Sequence, residues 1–143
     1  MLVQFSFSNY KSFKDEAILN LVASGTGKKD LYCHKMDGKT SLQKTVVVYG
    51  ANASGKTKLF DAFNFMKSFI SPPKRDNRIP ILDYWQTKYD TFRLNTASEK
   101  ECSFFETVMV IDGVQYRYGV ELNNKEVLSE WLYLKRQREI NVF

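Results

Sequence analysis

Apolar and polar positions alternate from Leu2 to Phe7, with Gln4 and Ser6 set between apolar neighbours, and this predicts a strand. Asn9 to Ser12 reads as a turn. The next apolar run, Ala17 to Ala23, fits a strand or a helix equally on periodicity. Gly25, Gly27 and the polar stretch as far as Lys44 predict a loop-rich connection. Thr45 to Tyr49, TVVVY, is a different pattern: a continuous β-branched run without polar alternation, which predicts a strand covered on both faces as in a parallel sheet. It runs straight into Gly50.

From Lys56 onward Leu59, Ala62, Phe63, Met66 and Ile70 recur at helical spacing, and Ser71-Pro72-Pro73 ends the pattern. Residues 71–100, with Pro72, Pro73 and Pro80, predict an irregular connection in which Ile79 to Trp85 supplies apolar contacts. Strand alternation returns at Cys102, with two-residue turns expected at Asp112-Gly113 and Asn123-Asn124. Ile111 opposite Val114 places Met109 with Tyr116 and Phe105 with Val120 on one face. Val108 with Arg117 and Glu106 with Gly119 then share the other. The outcome is a three-stranded antiparallel meander ending near Leu134. Residues 1–70 (N-terminal strands, glycine loop and helix), 71–100 (connection) and 101–143 (meander) are the expected units, and no internal repeat occurs.

With 143 residues, 43% hydrophobic and 26% charged, the chain has the balance of one globular domain rather than of a disordered segment. No apolar run reaches the roughly 18 residues of a membrane span, and MLVQFSFSNYKSF lacks the layout of a signal peptide, so a soluble cytoplasmic protein is expected. Cys33 and Cys102 with the single His34 supply neither a disulfide scaffold nor four zinc ligands. A net charge of +5 favours anionic partners, nucleic acid among them. The basic concentrations at Lys28, Lys29, Lys35, Lys39 and Lys44, and at Lys135, Arg136 and Arg138, read as solvated faces.

The chemistry concentrates in residues 50–57, GANASGKT: Gly50, Ala51, Asn52, Ala53, Ser54, Gly55, Lys56 and Thr57, the P-loop or Walker A pattern. Four specified positions recur by accident in about one chain of this length in two hundred, and here a strand-like run precedes and an amphipathic helix follows. Glycines let the backbone approach a phosphate, and successive N–H groups with the helix N-terminus face the anion. Lys56 would reach the β and γ phosphates of ATP, and the Thr57 hydroxyl would ligate Mg2+. A glycine-rich turn with an exposed lysine is the competing reading.

Beside this loop, the N-terminal FSNYKSF makes the chain resemble the nucleotide-binding head of ABC-like ATPases, the group of SMC, RecF-like and OLD-like proteins. Asn52 and Ser54 match the loop of those families. Asn9, Tyr10, Lys11, Ser12 and Phe13 match their turn between the first two strands, and YRYGVELNNKEVLSEWLYLKRQRE is similar to the antiparallel β-subdomain of the OLD-like AAA branch. The resemblance implies an α/β P-loop core fragment joined to an antiparallel β-subdomain, with Lys11 and Ser12 near the nucleotide. It also implies head-to-head assembly into a homo-oligomer, action on DNA or on a nuclease partner in anti-phage defence, and a chain several hundred residues longer.

A head of this kind also needs an acidic strand, a signature loop and a downstream His, and neither a Ser-Gly-Gly signature nor such a His occurs. Val108 to Asp112 imitates the acidic strand, but Asp112-Gly113 followed by a complementary strand is explained by turn chemistry. ATP binding is therefore expected and hydrolysis by these residues alone is not. Two rivals stay open: a small P-loop kinase with Arg75 and Arg78 in a lid, and a non-catalytic nucleic-acid or protein interaction module. Phe60, Phe63, Phe65, Tyr84, Trp85, Trp131 and Tyr133 fit base stacking or core packing, the commoner use. Cys33-His34 fits a plain loop, and Glu130 and Glu139 show no partner for acid or base work.

Overall fold

The computed structural model describes residues 1–24, 31–36, 40–71, 85–136 and 138–143. The strands are β1 (Leu2–Ser8), β2 (Ala17–Asn20), β3 (Cys33–Lys35), β4 (Ser41–Gln43), β5 (Ser103–Ile111), β6 (Val114–Leu122), β7 (Val127–Lys135) and β8 (Glu139–Asn141), and α1 (Lys56–Ile70) lies between β4 and β5. Six of the strands form one sheet in the order β2-β1-β5-β6-β7-β8, and β3 pairs with β4 in a two-stranded sheet. Every pairing among the described residues is antiparallel.

The β5–β6 hairpin has the expected register, Ile111 with Val114, Met109 with Tyr116, Phe105 with Val120 and Glu106 with Gly119. Asp112 and Gly113 hold φ of 50 and 76, the positive values that a type I′ turn requires. The second turn differs from expectation. Asn123 accepts at Oδ1 from the N–H groups of Lys125 and Glu126 at 2.8 and 3.0 Å, and its own N–H bonds the Glu126 carbonyl, so a four-residue loop replaces Asn123-Asn124. The meander also continues past Leu134 into β8.

Alternation in β1 turns Phe5 and Phe7 inward, and β1 lies beside β5, with Phe7 opposite Phe105. Helix α1 covers this half of the sheet with Ala62, Phe65 and Met66 buried. Phe65 and Phe105 rings approach to 4.9 Å, Tyr10 and Phe105 to 5.3 Å, and Phe63 meets Phe5 edge-on at 5.3 Å. Ile70, expected on the packed face, is exposed, and Phe65 takes the inward position because the ring cluster lies over the centre of the helix. Trp85 and Tyr89 close the core from the connection, and the Tyr89 and Ser103 hydroxyls hydrogen-bond at 2.8 Å. Burial holds the Tyr10 and Tyr89 phenols above their usual pKa.

On the opposite sheet face Trp131 lies across Gly119: a Cβ there would stand 2.2 Å from the indole Cζ2. The indole N–H donates to Glu106 at 2.9 Å, and the ring stacks on Phe104 at 5.8 Å. Arg117 sits 4.4 Å over the Tyr133 ring and donates to Glu139 at 2.9 Å. These aromatics and Glu139 therefore serve packing and pairing within the sheet.

A further expectation is corrected. Residues 45–49 form no strand: the backbone is irregular, and Val47 and Tyr49 are 78% and 90% exposed. A run of this composition draws its stability from strands on both edges and layers on both faces. Among the described residues no parallel strand lies beside it. Gly25, Gly27, Lys28, Lys29, Lys39, Pro72, Pro73, Arg75, Arg78, Pro80 and Tyr84, which sequence reasoning singled out, lie outside the described residues, as does the stretch 79–84.

Candidate functional site

The loop ahead of α1 turns tightly, with the Ser54 N–H reaching the Ala51 carbonyl at 3.3 Å. Ala53 and Gly55 adopt φ of 62 and 90. Left-handed residues so close together are a feature of backbone anion nests, and here the Ser54 N–H between them turns inward on Ala51. Gly55 caps α1 without a side-chain hydrogen bond, so the first N–H groups of a 15-residue helix stay available for an external acceptor. A Cβ at Gly55 would lie 3.1 Å from Cζ of Phe13 and 3.6 Å from Oγ of Ser12, and its φ already disfavours an L side chain.

Lys56 folds back on this loop. Its Nζ donates to the carbonyls of Gly50 at 2.9 Å and Ala51 at 2.6 Å and to Ser54 Oγ at 3.3 Å. The ammonium thus sits at the loop mouth on acceptors that an incoming anion can replace. Ser12, Ala53, Ser54, Gly55, Lys56, Thr57 and Lys58 line a cavity of about 300 Å³ there. Asn52 is exposed and is not among the lining residues.

The turn from Asn9 to Phe13 brings Ser12 to this cavity, and it is heavily constrained. Asn9 and Lys11 both hold φ of 51. Asn9 is 4% exposed; its Nδ2 donates to the carbonyls of Ser98 at 2.8 Å and Glu101 at 2.9 Å, and its Oδ1 accepts from the Phe92 N–H at 3.3 Å. The Ser103 hydroxyl donates to the Asn9 carbonyl. A side chain that satisfies so many backbone groups holds the turn in a conformation L residues otherwise avoid.

Lys11 points elsewhere. Its Nζ pairs with Asp61 Oδ2 at 2.8 Å, Lys58 reaches the same oxygen at 3.3 Å, and the Lys11 hydrogen bond holds the Asp61 carboxyl below its usual pKa. Lys11 and Asp61 help line a second cavity of about 200 Å³ with Tyr10, Asn64 and Lys88. Of the two turn residues named from sequence, Ser12 lines the loop cavity and Lys11 is engaged beside it.

Asp112 is far from this chemistry. Ile111 shares a cavity with Ile70 and Ser71 at the C-terminal end of α1, whereas the loop lies at its N-terminal end, about 20 Å away along a helix of 15 residues. Cys33 and His34 sit in β3, and among the described residues no group of three His, Cys, Asp or Glu side chains could hold a metal ion. Sequence reasoning missed Asn9 as an anchor and Asp61 as a partner of both lysines. Asn9 was visible only as the first residue of the turn motif, without its anchoring role, and Asp61 only through its i+3 spacing from Lys58 and i+4 spacing from Thr57.

Residues 46–141 match the family model described as "AAA domain, putative AbiEii toxin, Type IV TA system". The span takes in the loop, α1 and strands β5 to β8, and begins beyond the Asn9 turn. No curated protein matches the chain. No helix among the described residues is long and apolar enough to cross a membrane.

Proposed function

Because this chain belongs to that family of AAA domains, we propose that it binds ATP with magnesium through residues 50–57, as a nucleotide-binding module of an ABC-like ATPase. The observation that carries the reading is the loop itself: two left-handed residues, Ala53 and Gly55, open onto an uncapped helix N-terminus, with the Lys56 ammonium at the mouth. The backbone N–H groups would take phosphate oxygens, and Lys56 would leave its carbonyl partners for the β and γ phosphates. Thr57 offers a hydroxyl to magnesium, which when bound neutralises phosphate charge. Ser12 supplies a further donor from across the cavity. In this reading the rest of an ATPase or a second head completes the site around the loop, the family description directs the search for a role to toxin–antitoxin systems, and action on DNA or on a nuclease partner in phage defence is the part of the reading that rests on the resemblance of the N-terminal turn and loop alone.

Ligand at about a hundred times its dissociation constant adds roughly 2.7 kcal/mol, which for a domain of this size raises the melting temperature by about 5–10 °C. A melting scan with Mg-ATP should show that shift, and Lys56→Ala should abolish it. No shift at millimolar nucleotide in folded protein, or an undiminished shift in Lys56→Ala, removes the assignment.

A further inference from the structure

The Asn9 turn packs on α1 and the nucleotide loop through Tyr10, whose ring meets Phe65 at 5.5 Å, and through Phe13 over Gly55, but its polar connections are few. The Asn9 side chain ties it to the backbone of residues 98–101, and the Lys11 N–H ties it to the Asp90 carbonyl at 2.9 Å. Both anchors lie in the connection behind the turn. Toward α1, the element whose N-terminus builds the loop, the described polar contacts provide one link, Lys11 Nζ to Asp61 Oδ2 at 2.8 Å. Asp61 follows Thr57 by one helical turn, on the flank that faces Lys58 and Lys11. Ser12 is the next residue after Lys11, and its hydroxyl lies 3.6 Å from where a Gly55 Cβ would be.

We infer that Asp61 is a positioning residue of the nucleotide site, fastening the Lys11–Ser12 turn to α1 so that the Ser12 hydroxyl faces the mouth of the Gly55 loop. The inference rests on the nucleotide reading above. The two lysines hold the Asp61 carboxyl below its ordinary pKa, so the clamp is closed at neutral pH. Lys11 and Asp61 side chains are 23% and 31% exposed, too open for a large contribution to folding and close enough to fix a geometry.

Two other roles predict different behaviour. A carboxylate that merely repels phosphate would be removed with a gain in affinity, because Lys11 and Lys58 would then be free to turn to the anion. A merely structural ion pair would lower the melting temperature of the ligand-free protein and leave affinity unchanged.

The test is calorimetric titration of Mg-ATP into the full chain and its variants Asp61→Asn, Lys11→Met, Asp61→Glu and the double variant. Losing one charge-assisted positioning contact should weaken binding in Asp61→Asn roughly 3- to 10-fold. The double variant should bind no more weakly than Lys11→Met alone, because both changes open one clamp. Asp61→Glu, with the same charge one methylene further out, should recover most of the affinity. Ligand-free melting temperatures should stay within about 2 °C of the parent. Unchanged or tighter binding in Asp61→Asn, or losses that simply add, overturn the inference. If the parent chain itself fails to bind Mg-ATP, the nucleotide reading falls and the positioning role falls with it; parent binding with an unaffected Asp61→Asn removes the Asp61 role alone.

Discussion

The sheet half beneath α1 and the segment leading into the loop are both rich in β-branched and aromatic residues, yet they end in opposite states. Phe5, Phe7, Phe105 and Val120 are fully buried in antiparallel pairs capped by a helix. Val47 and Tyr49, in a run at least as apolar, stand in solvent. Composition does not separate the two regions; neighbours do. Antiparallel strands find partners through short turns such as Asp112-Gly113 or through pairing across one face, while a strand built for a parallel sheet needs crossover connections and a layer on each side. The exposed segment feeds the loop whose geometry suits an anion. The loop is therefore held by α1 and by the Asn9 turn without support from the irregular segment ahead of it.

The strongest way to break this contrast is to empty the core. Phe105→Ala removes a ring in contact with Phe65, Tyr10 and Phe7, and should cost about 3–5 kcal/mol in chemical denaturation. A cost under about 1 kcal/mol would mean that the sheet–helix layer is not the stabilising region. A smaller effect probes the outer face: the Cβ of Gly119→Ala would meet the Trp131 ring at 2.2 Å, displace the indole from Glu106 and Phe104, and cost about 1–3 kcal/mol. Indole fluorescence and the denaturation midpoint read it together, and an unmoved Trp131 signal with full stability would contradict the close approach. Smallest of all is Val47→Asn, expected to change stability by less than about 0.5 kcal/mol because the side chain already lies in water. A loss above about 1 kcal/mol that grows with protein concentration would show the segment covered in an assembly, and would sharpen the contrast into one between a self-sufficient layer and one completed by partners.

Legibility in the sequence followed the range of the forces involved. The β5–β6 register was readable because Asp112-Gly113 demands positive φ at both positions, and a two-residue turn leaves one pairing that keeps Phe105, Val120 and Met109 on one face. The start of α1 at Lys56 was readable from the glycine before it and the spacing after it. Asn123-Asn124 misled because the Asn123 side chain competes for the backbone N–H groups and lengthens the loop, a local choice that residue type alone leaves open.

By itself, then, the sequence determined what nearest neighbours decide: the glycine loop 50–57, the helix behind it, the hairpin register, and the alternation that sends Phe5 and Phe7 to one face. Tertiary structure decided what depends on residues far apart in the chain. It set β1 beside β5, seated Asn9 on the backbone of residues 98–101, brought Ser12 to the loop, gave Lys11 to Asp61, and left 45–49 without a sheet. Contacts of this kind form only when chain closure over tens of residues is offset by burial elsewhere, and no local pattern carries that balance.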